Sequence, residues 1–143
     1  MEFEGRQAGW TTAAVLIGRL IFATVFLIAL IFKLKDIDAT AGYIASAGFP
    51  APGVLAWLAA LLELALAACF LTGAYFTEAA VSAAAYVLFL GFAFHGPSHW
   101  KGSPMEFGLF VDHFSFLAGL LFAAAHGPGR ALVMRLRSSG RAQ

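Results

Sequence analysis

Charge is what this sequence has least of. Asp, Glu, Lys and Arg make up 12% of its 143 residues, against 61% hydrophobic. A water-soluble domain carries charge on about a quarter of its residues. The chain therefore has too little polar surface to face water, and its mean hydropathy of +0.82 makes the lipid bilayer the expected solvent. Nine basic residues against eight acidic ones leave a net charge of +1, which gives no electrostatic footing for nucleic acid. The single cysteine, Cys69, excludes an intramolecular disulfide and any metal site built from several thiolates. No internal repeat, no low-complexity segment and no motif for nucleotide, flavin or haem is present.

What the sequence does have is four apolar runs, each near the roughly 20 residues that a spanning helix needs. They are Ala13 to Phe32, Gly53 to Gly73, about Thr77 to His95, and about Phe107 to Ala125. The pattern predicts an all-α fold, a four-helix transmembrane bundle in one domain over residues 1–129. A basic tail follows over 130–143. Runs of this length are short for tilted spans, so upright helices are expected. The first run ends at Lys33 and Lys35 rather than at a small-residue cleavage site, so it is read as a retained span and not a signal peptide.

The links differ. Ala74 to Thr77 allows only a tight hairpin. Between the first two spans, Ile37, Ala41 and Ile44 recur at helical spacing, which predicts a short interfacial helix. Phe49-Pro50-Ala51-Pro52 then stops that helix and launches the second span. Gly96 to Pro104 reads as an irregular loop. Arg6, Arg130, Arg135, Arg137 and Arg141 flank the two ends, whereas the long links carry Lys33, Lys35 and Lys101. By the positive-inside rule both termini are expected in the cytoplasm, in the cell (inner) membrane.

Glu63 stands out because it lies near the middle of its span, too short to snorkel to either surface. A charge there costs several kcal/mol and is a functional candidate. Ala56, Ala59, Ala60 and Ala67 share its face, so it is expected to face another helix. On antiparallel spans Arg19 lies about 10 Å from the cytoplasmic end and Glu63 about 15 Å, so Arg19 is its expected partner. Two readings stand: an ion pair that fixes helix order, or a pair that binds a polar head group or relays protons.

A second group collects at the opposite face: Lys33, His95, His99, Glu106, Asp112 and His113. Histidine titrates near neutral pH, so this group can handle protons or bind a polar head. The bland reading is interfacial hydrogen bonding. Metal binding is the weakest reading, because Pro97 separates His95 from His99 and spoils regular ligand spacing. Trp10, Trp57 and Trp100 fall near the membrane boundaries, as an aromatic belt would. The phenylalanines of the third and fourth spans either line an apolar slot or pack. Cys69 reads as packing.

The order of motifs resembles the DoxX family of small membrane proteins. The carrying features are GRLIF at Gly18 to Phe22, FKL at Phe32 to Leu34, AGFPAP at Ala47 to Pro52 and LAALLELALAACFLTGAYF at Leu58 to Phe76. The resemblance covers about Ile17 to Leu121. It implies a four-helix membrane bundle and, through relatives, either a subunit of a thiosulfate:quinone oxidoreductase or an accessory protein in redox stress. Arg19, Lys33 and Glu63 match positions where the family carries polar residues. The segment HGPSHWKGSPMEF from His95 to Phe107 looks particular to this branch. The leading expectation is a redox-accessory protein that binds a quinone, or another small amphipathic molecule, inside the bundle. In it Arg19, Lys33, Glu63, His95, His99, Asp112 and His113 are the ligand-binding or proton-handling candidates. The rivals are a non-catalytic subunit of a larger membrane complex and a small oligomeric transporter.

Overall fold

The computed structural model describes the backbone of residues 2–134 and the side chains of residues 9–134. The arginines at 135, 137 and 141, and the side chain of Arg6, lie outside what is described. Five α-helices follow in order: α1 (Glu2–Lys35), α2 (Ile37–Ser46), α3 (Pro52–Thr72), α4 (Phe76–His95) and α5 (Pro104–His126). A single 3-10 turn (Pro97–His99) interrupts the α4–α5 link. No strand occurs among the described residues. Four helices are long and apolar enough to cross a membrane, and α2 is the short helix between the first two of them.

The first span is longer than its apolar run suggests. Helix α1 has 34 residues, about 51 Å at 1.5 Å per residue. Its membrane-compatible stretch is Gly9–Lys35, which at about 40 Å exceeds a hydrocarbon core of about 30 Å. It must tilt or project from the bilayer, so this helix is longer than the short span expected of it.

Local chemistry sets the ends. Asp36 breaks α1 from α2, and its carboxylate accepts from the Ala39 backbone N–H at 2.8 Å, an N-cap. Pro52 starts α3 at a position where its missing N–H costs nothing. Gly73 ends α3 in the left-handed region (φ 70°) and donates to the Cys69 carbonyl at 2.8 Å. Ser103 caps α5 just before Pro104.

The tightest neighbours are α4 with α5 and α1 with α3, while α2 lies against α3. The core is built of small side chains on α4, namely Ala79, Ala80, Ala83 and Ala84, against Ala23 and Phe26 of α1 and Leu66, Ala67 and Phe70 of α3. Lipid is as apolar as these side chains, so close packing of small residues holds the helices together. Cys69 packs against this core. Phe22 and Phe26 stand between Phe70 of α3 and Phe116 of α5, closing the ring of four spans. Helix α5 buries little of itself; only 6% of its apolar window is enclosed.

Candidate functional site

Among the described residues two buried charged side chains lie inside the bundle, Arg19 and Glu63, each 2% exposed. They do not meet. Phe26 stacks on Phe70 with ring centroids 5.9 Å apart, and that antiparallel register places Lys33 opposite Glu63. It places Arg19 beside the α3–α4 hairpin. The expected Arg19–Glu63 pair assumed that the first and second spans begin and end level. Helix α1 extends well beyond the hairpin, which shifts the register and separates the two.

Arg19 binds backbone instead. Its Nε donates to Phe70 O at 3.1 Å, and its two terminal nitrogens donate to the carbonyls of Leu71, Pro128, Ala131 and Leu132 at 2.7–3.2 Å. The first two are orphan carbonyls at the C-terminal end of α3, where a cation also complements the helix dipole. The other three belong to the segment after α5, which is tied to the same place by the Met134 N–H donating to Thr72 O at 2.9 Å. Gly73 is required here. A Cβ at that position would lie 3.0 Å from an Arg19 nitrogen.

Glu63 has a separate set of partners. The Lys33 ammonium contacts its Oε1 at 2.7 Å, and the Tyr86 hydroxyl donates to the same oxygen at 3.0 Å. Its Oε2 is buried and has no hydrogen-bond partner. Lys33 lies in the last turn of α1, opposite Glu63. Tyr86 was not among the candidates, although a tyrosine hydroxyl in mid-span must find a partner, and that need was a usable signal.

Two chambers open around this group. The outer one, of about 810 Å³, lies between α2 and the bundle. Its walls are mostly apolar and aromatic, including Phe32, Phe49, Phe89 and Phe94, while Lys33, Asp36, Thr40, Tyr43, Tyr86, His95 and His113 supply the polar points. Tyr43 of α2 stacks on Phe94 of α4 at 4.9 Å, which seats the interfacial helix over the cavity. The Tyr43 phenol is pushed above its ordinary pKa by burial, and further by the nearby Glu106 charge. The inner chamber, of about 370 Å³, lies between α1, α3, α4 and α5 and is lined by Glu63, Tyr86, Asp112, His113, Phe26 and Phe116 among others. Tyr86 and His113 border both.

The histidines divide. His95 Nδ1 lies 2.7 Å from Glu106 Oε2, and its ring is 5.2 Å from that of His113. His113 Nδ1 is 2.7 Å from Leu109 O. A carbonyl can only accept, so that nitrogen carries the proton. Gly91 makes room for this side chain, since a Cβ there would sit 3.1 Å from His113 Cβ. His99 is exposed in the 3-10 turn beside Ser98 Oγ at 3.2 Å and lines neither chamber. Asp112 faces the inner chamber and not the His95–Glu106 pair. Trp100 donates from Nε1 to His95 O at 2.8 Å and packs on Phe107 and Phe110, so it fastens the loop. Among the described residues no three His, Cys, Asp or Glu side chains gather as a metal site would require.

The structure brings Lys33, Glu63, His95 and His113 to one pair of chambers with Tyr86 and Tyr43, and Glu106 stands behind His95. It sets Asp112 at the wall of the inner one, His99 outside and Arg19 at the opposite end. In comparisons with known proteins, the family model described as DoxX matches residues 14–96, more than half of the chain. No curated protein matches, and no solved structure matches.

Proposed function

The chain belongs to the DoxX family, and we propose that it is a membrane redox-accessory protein holding a quinone-like or similarly small amphipathic molecule in these chambers. One observation carries the reading. A cavity of about 810 Å³ has largely apolar, aromatic walls set with a few polar groups, Lys33, Tyr86 and His113 among them. Ligand sites have this composition and lie in this size range, about 300–1,000 Å³. Helical bundles place such sites between facing helices.

The residues fit a quinone-like head. Lys33 gives one bond to Glu63 and keeps further protons to offer a carbonyl oxygen. Phe89 and Phe94 offer ring faces to a planar head. His113 and the His95–Glu106 pair border the cavity and are suited to take up and release protons. A quinone accepts electrons and protons in equal number. In this reading the chain binds the head and moves the protons, and a partner protein supplies the electrons.

The same reading places the chain in the cell (inner) membrane with both termini and the tail of residues 130–143 in the cytoplasm, by the excess of arginine there. The cavity then opens toward the outer face. One observation favours the rival subunit reading. Helix α5 is barely enclosed, with Phe107 and Phe122 51% and 76% exposed, a face suited to a partner helix or a second copy as well as to lipid.

Native mass spectrometry of the full chain in mild detergent, with extraction of bound lipid and quinone, tests the proposal. A co-purifying quinone is expected, and it should be lost in Ala29→Phe, because Ala29 borders both chambers. A folded chain that carries no quinone and binds none when it is added would sink the quinone reading. Isolation only with partner proteins, and without such a ligand, would favour the subunit.

A further inference from the structure

We propose that the inner chamber selects its ligand by hydroxyl donors. It therefore takes the reduced, dihydroxy-aromatic form of a quinone-like molecule, or a simple phenol, in preference to the oxidised form. This inference rests on the reading of the loop-end cavities as a site for a small amphipathic molecule.

The free polar groups on the chamber wall are acceptors. Glu63 spends Oε1 on Lys33 and Tyr86, whereas Oε2 is buried and unpartnered. The side chain is 2% exposed and forms part of this wall, so the chamber is where a donor would reach it. Asp112 lies on the same wall and has no hydrogen-bond or ion-pair partner among the described residues. A carboxylate accepts and does not donate. His113 uses its Nδ1 proton on Leu109 O, which leaves Nε2 of the neutral ring as an acceptor. The Tyr86 hydroxyl, the one donor that could have faced the ligand, is already committed to Glu63.

An oxidised quinone brings only carbonyl oxygens. Against this wall its acceptors would meet acceptors, and the buried Glu63 Oε2 would stay without a donor. A quinol or phenol brings O–H groups, and each can satisfy an oxygen that is otherwise orphaned. A site built to bond a hydroxyl rejects an analogue that lacks it strongly, because its own buried groups are then left unpaired. Phe26 and Phe116 give the chamber aromatic walls for the ring, and about 370 Å³ falls within the small-ligand range. Too few carboxylate and imidazole groups converge for a metal ion to be the donor's rival. The outer chamber differs, since there Lys33 presents protons.

The test is equilibrium binding to the full chain in mild detergent. The probes are a short-chain ubiquinol kept reduced under anaerobic conditions and the same ubiquinone, run beside a redox-inert pair, an alkylphenol and its methyl ether. The quinol should bind at least about tenfold tighter than the quinone, and the phenol likewise over its ether. In Glu63→Gln, whose amide brings a donor of its own, the gap should shrink below about threefold. Equal affinity for the two forms, with binding still lost in Ala29→Phe, overturns the inference and leaves the cavity reading standing. Binding of neither form overturns both. A preference that survives in folded Glu63→Gln overturns the assignment to Glu63. The wild-type comparison needs no variant and stays decisive if Glu63→Gln does not fold.

Discussion

At the hairpin end Arg19 divides its bonds among five backbone carbonyls. At the loop end Lys33 meets one carboxylate oxygen, and the other oxygen of that carboxylate meets nothing. Both ends hold a cation within an apolar bundle. One is saturated and has no room beside it, to the point that a single added methyl group at Gly73 would collide with it. The other borders the outer cavity, and its incompletely bonded carboxylate partner borders the inner one. Saturation suits a charge that holds the fold together, and incomplete bonding beside open space is what the proposed ligand site needs. Counting intramembrane charges would treat the two alike.

The comparison breaks most easily at Arg19. In Arg19→Leu the five carbonyls lose their common donor, and the unfolding temperature in detergent should fall by an amount equivalent to about 4 kcal/mol. Arg19→Lys should restore little, because an ammonium has fewer donors and no fork. Ligand affinity of the folded fraction should not change. A variant as stable as the wild type would show that the hairpin end is not a clamp. Glu63→Leu comes next. It strands Lys33 and Tyr86, yet Lys33 is 21% exposed and can turn toward the cavity. A loss of about 2 kcal/mol is therefore expected, with ligand binding abolished. Stability lost without any effect on binding would make both ends structural and erase the contrast.

Gly91→Ala sharpens the loop end. The new methyl presses on His113 Cβ at 3.1 Å, a mild overpacking of about 1 kcal/mol. It should shift the imidazole and weaken ligand binding more than it lowers the melting point. The smallest effect belongs to Tyr43. Its pKa in the folded chain is raised, by burial first and by Glu106 second, so folding favours the protonated phenol. That contribution is complete below the ordinary phenol pKa and is lost as pH rises through the raised one. Wild type should therefore lose stability in alkali more steeply than Tyr43→Phe, as read from melting curves across that range. Parallel curves would remove Tyr43 from the seam between α2 and α4.

Hydropathy made the spans legible, because a run of about 20 apolar residues has few other uses. The interfacial helix was legible from Ile37, Ala41 and Ile44, which keep helical spacing between two breaks. Pairing was harder to read. Whether Glu63 meets Arg19 or Lys33 depends on the stagger of α1 against α3, and stagger follows from how far α1 projects past the hairpin. Those polar residues, unlike the apolar ones, carry no hydropathy signal for where a helix stops. The group around His95 and His113 was visible as a set of titratable residues near one boundary. The exclusion of His99 follows from the 3-10 turn, which points it into solvent, and turn geometry is not written in residue type alone. Tyr86 shows a different gap: its role depends on Glu63 being across from it, a fact of packing.

The Arg19 clamp also has a consequence for synthesis. Three of its five acceptors, Pro128, Ala131 and Leu132, lie 109 to 113 residues further along the chain. The first span therefore enters the membrane with a guanidinium whose final partners have not yet been made. Phe70 and Leu71 arrive with the second span and satisfy part of it; the rest waits until α5 has crossed and the segment behind it returns to the hairpin. The full set of Arg19 bonds therefore exists only once the last-made stretch has closed over one of the first.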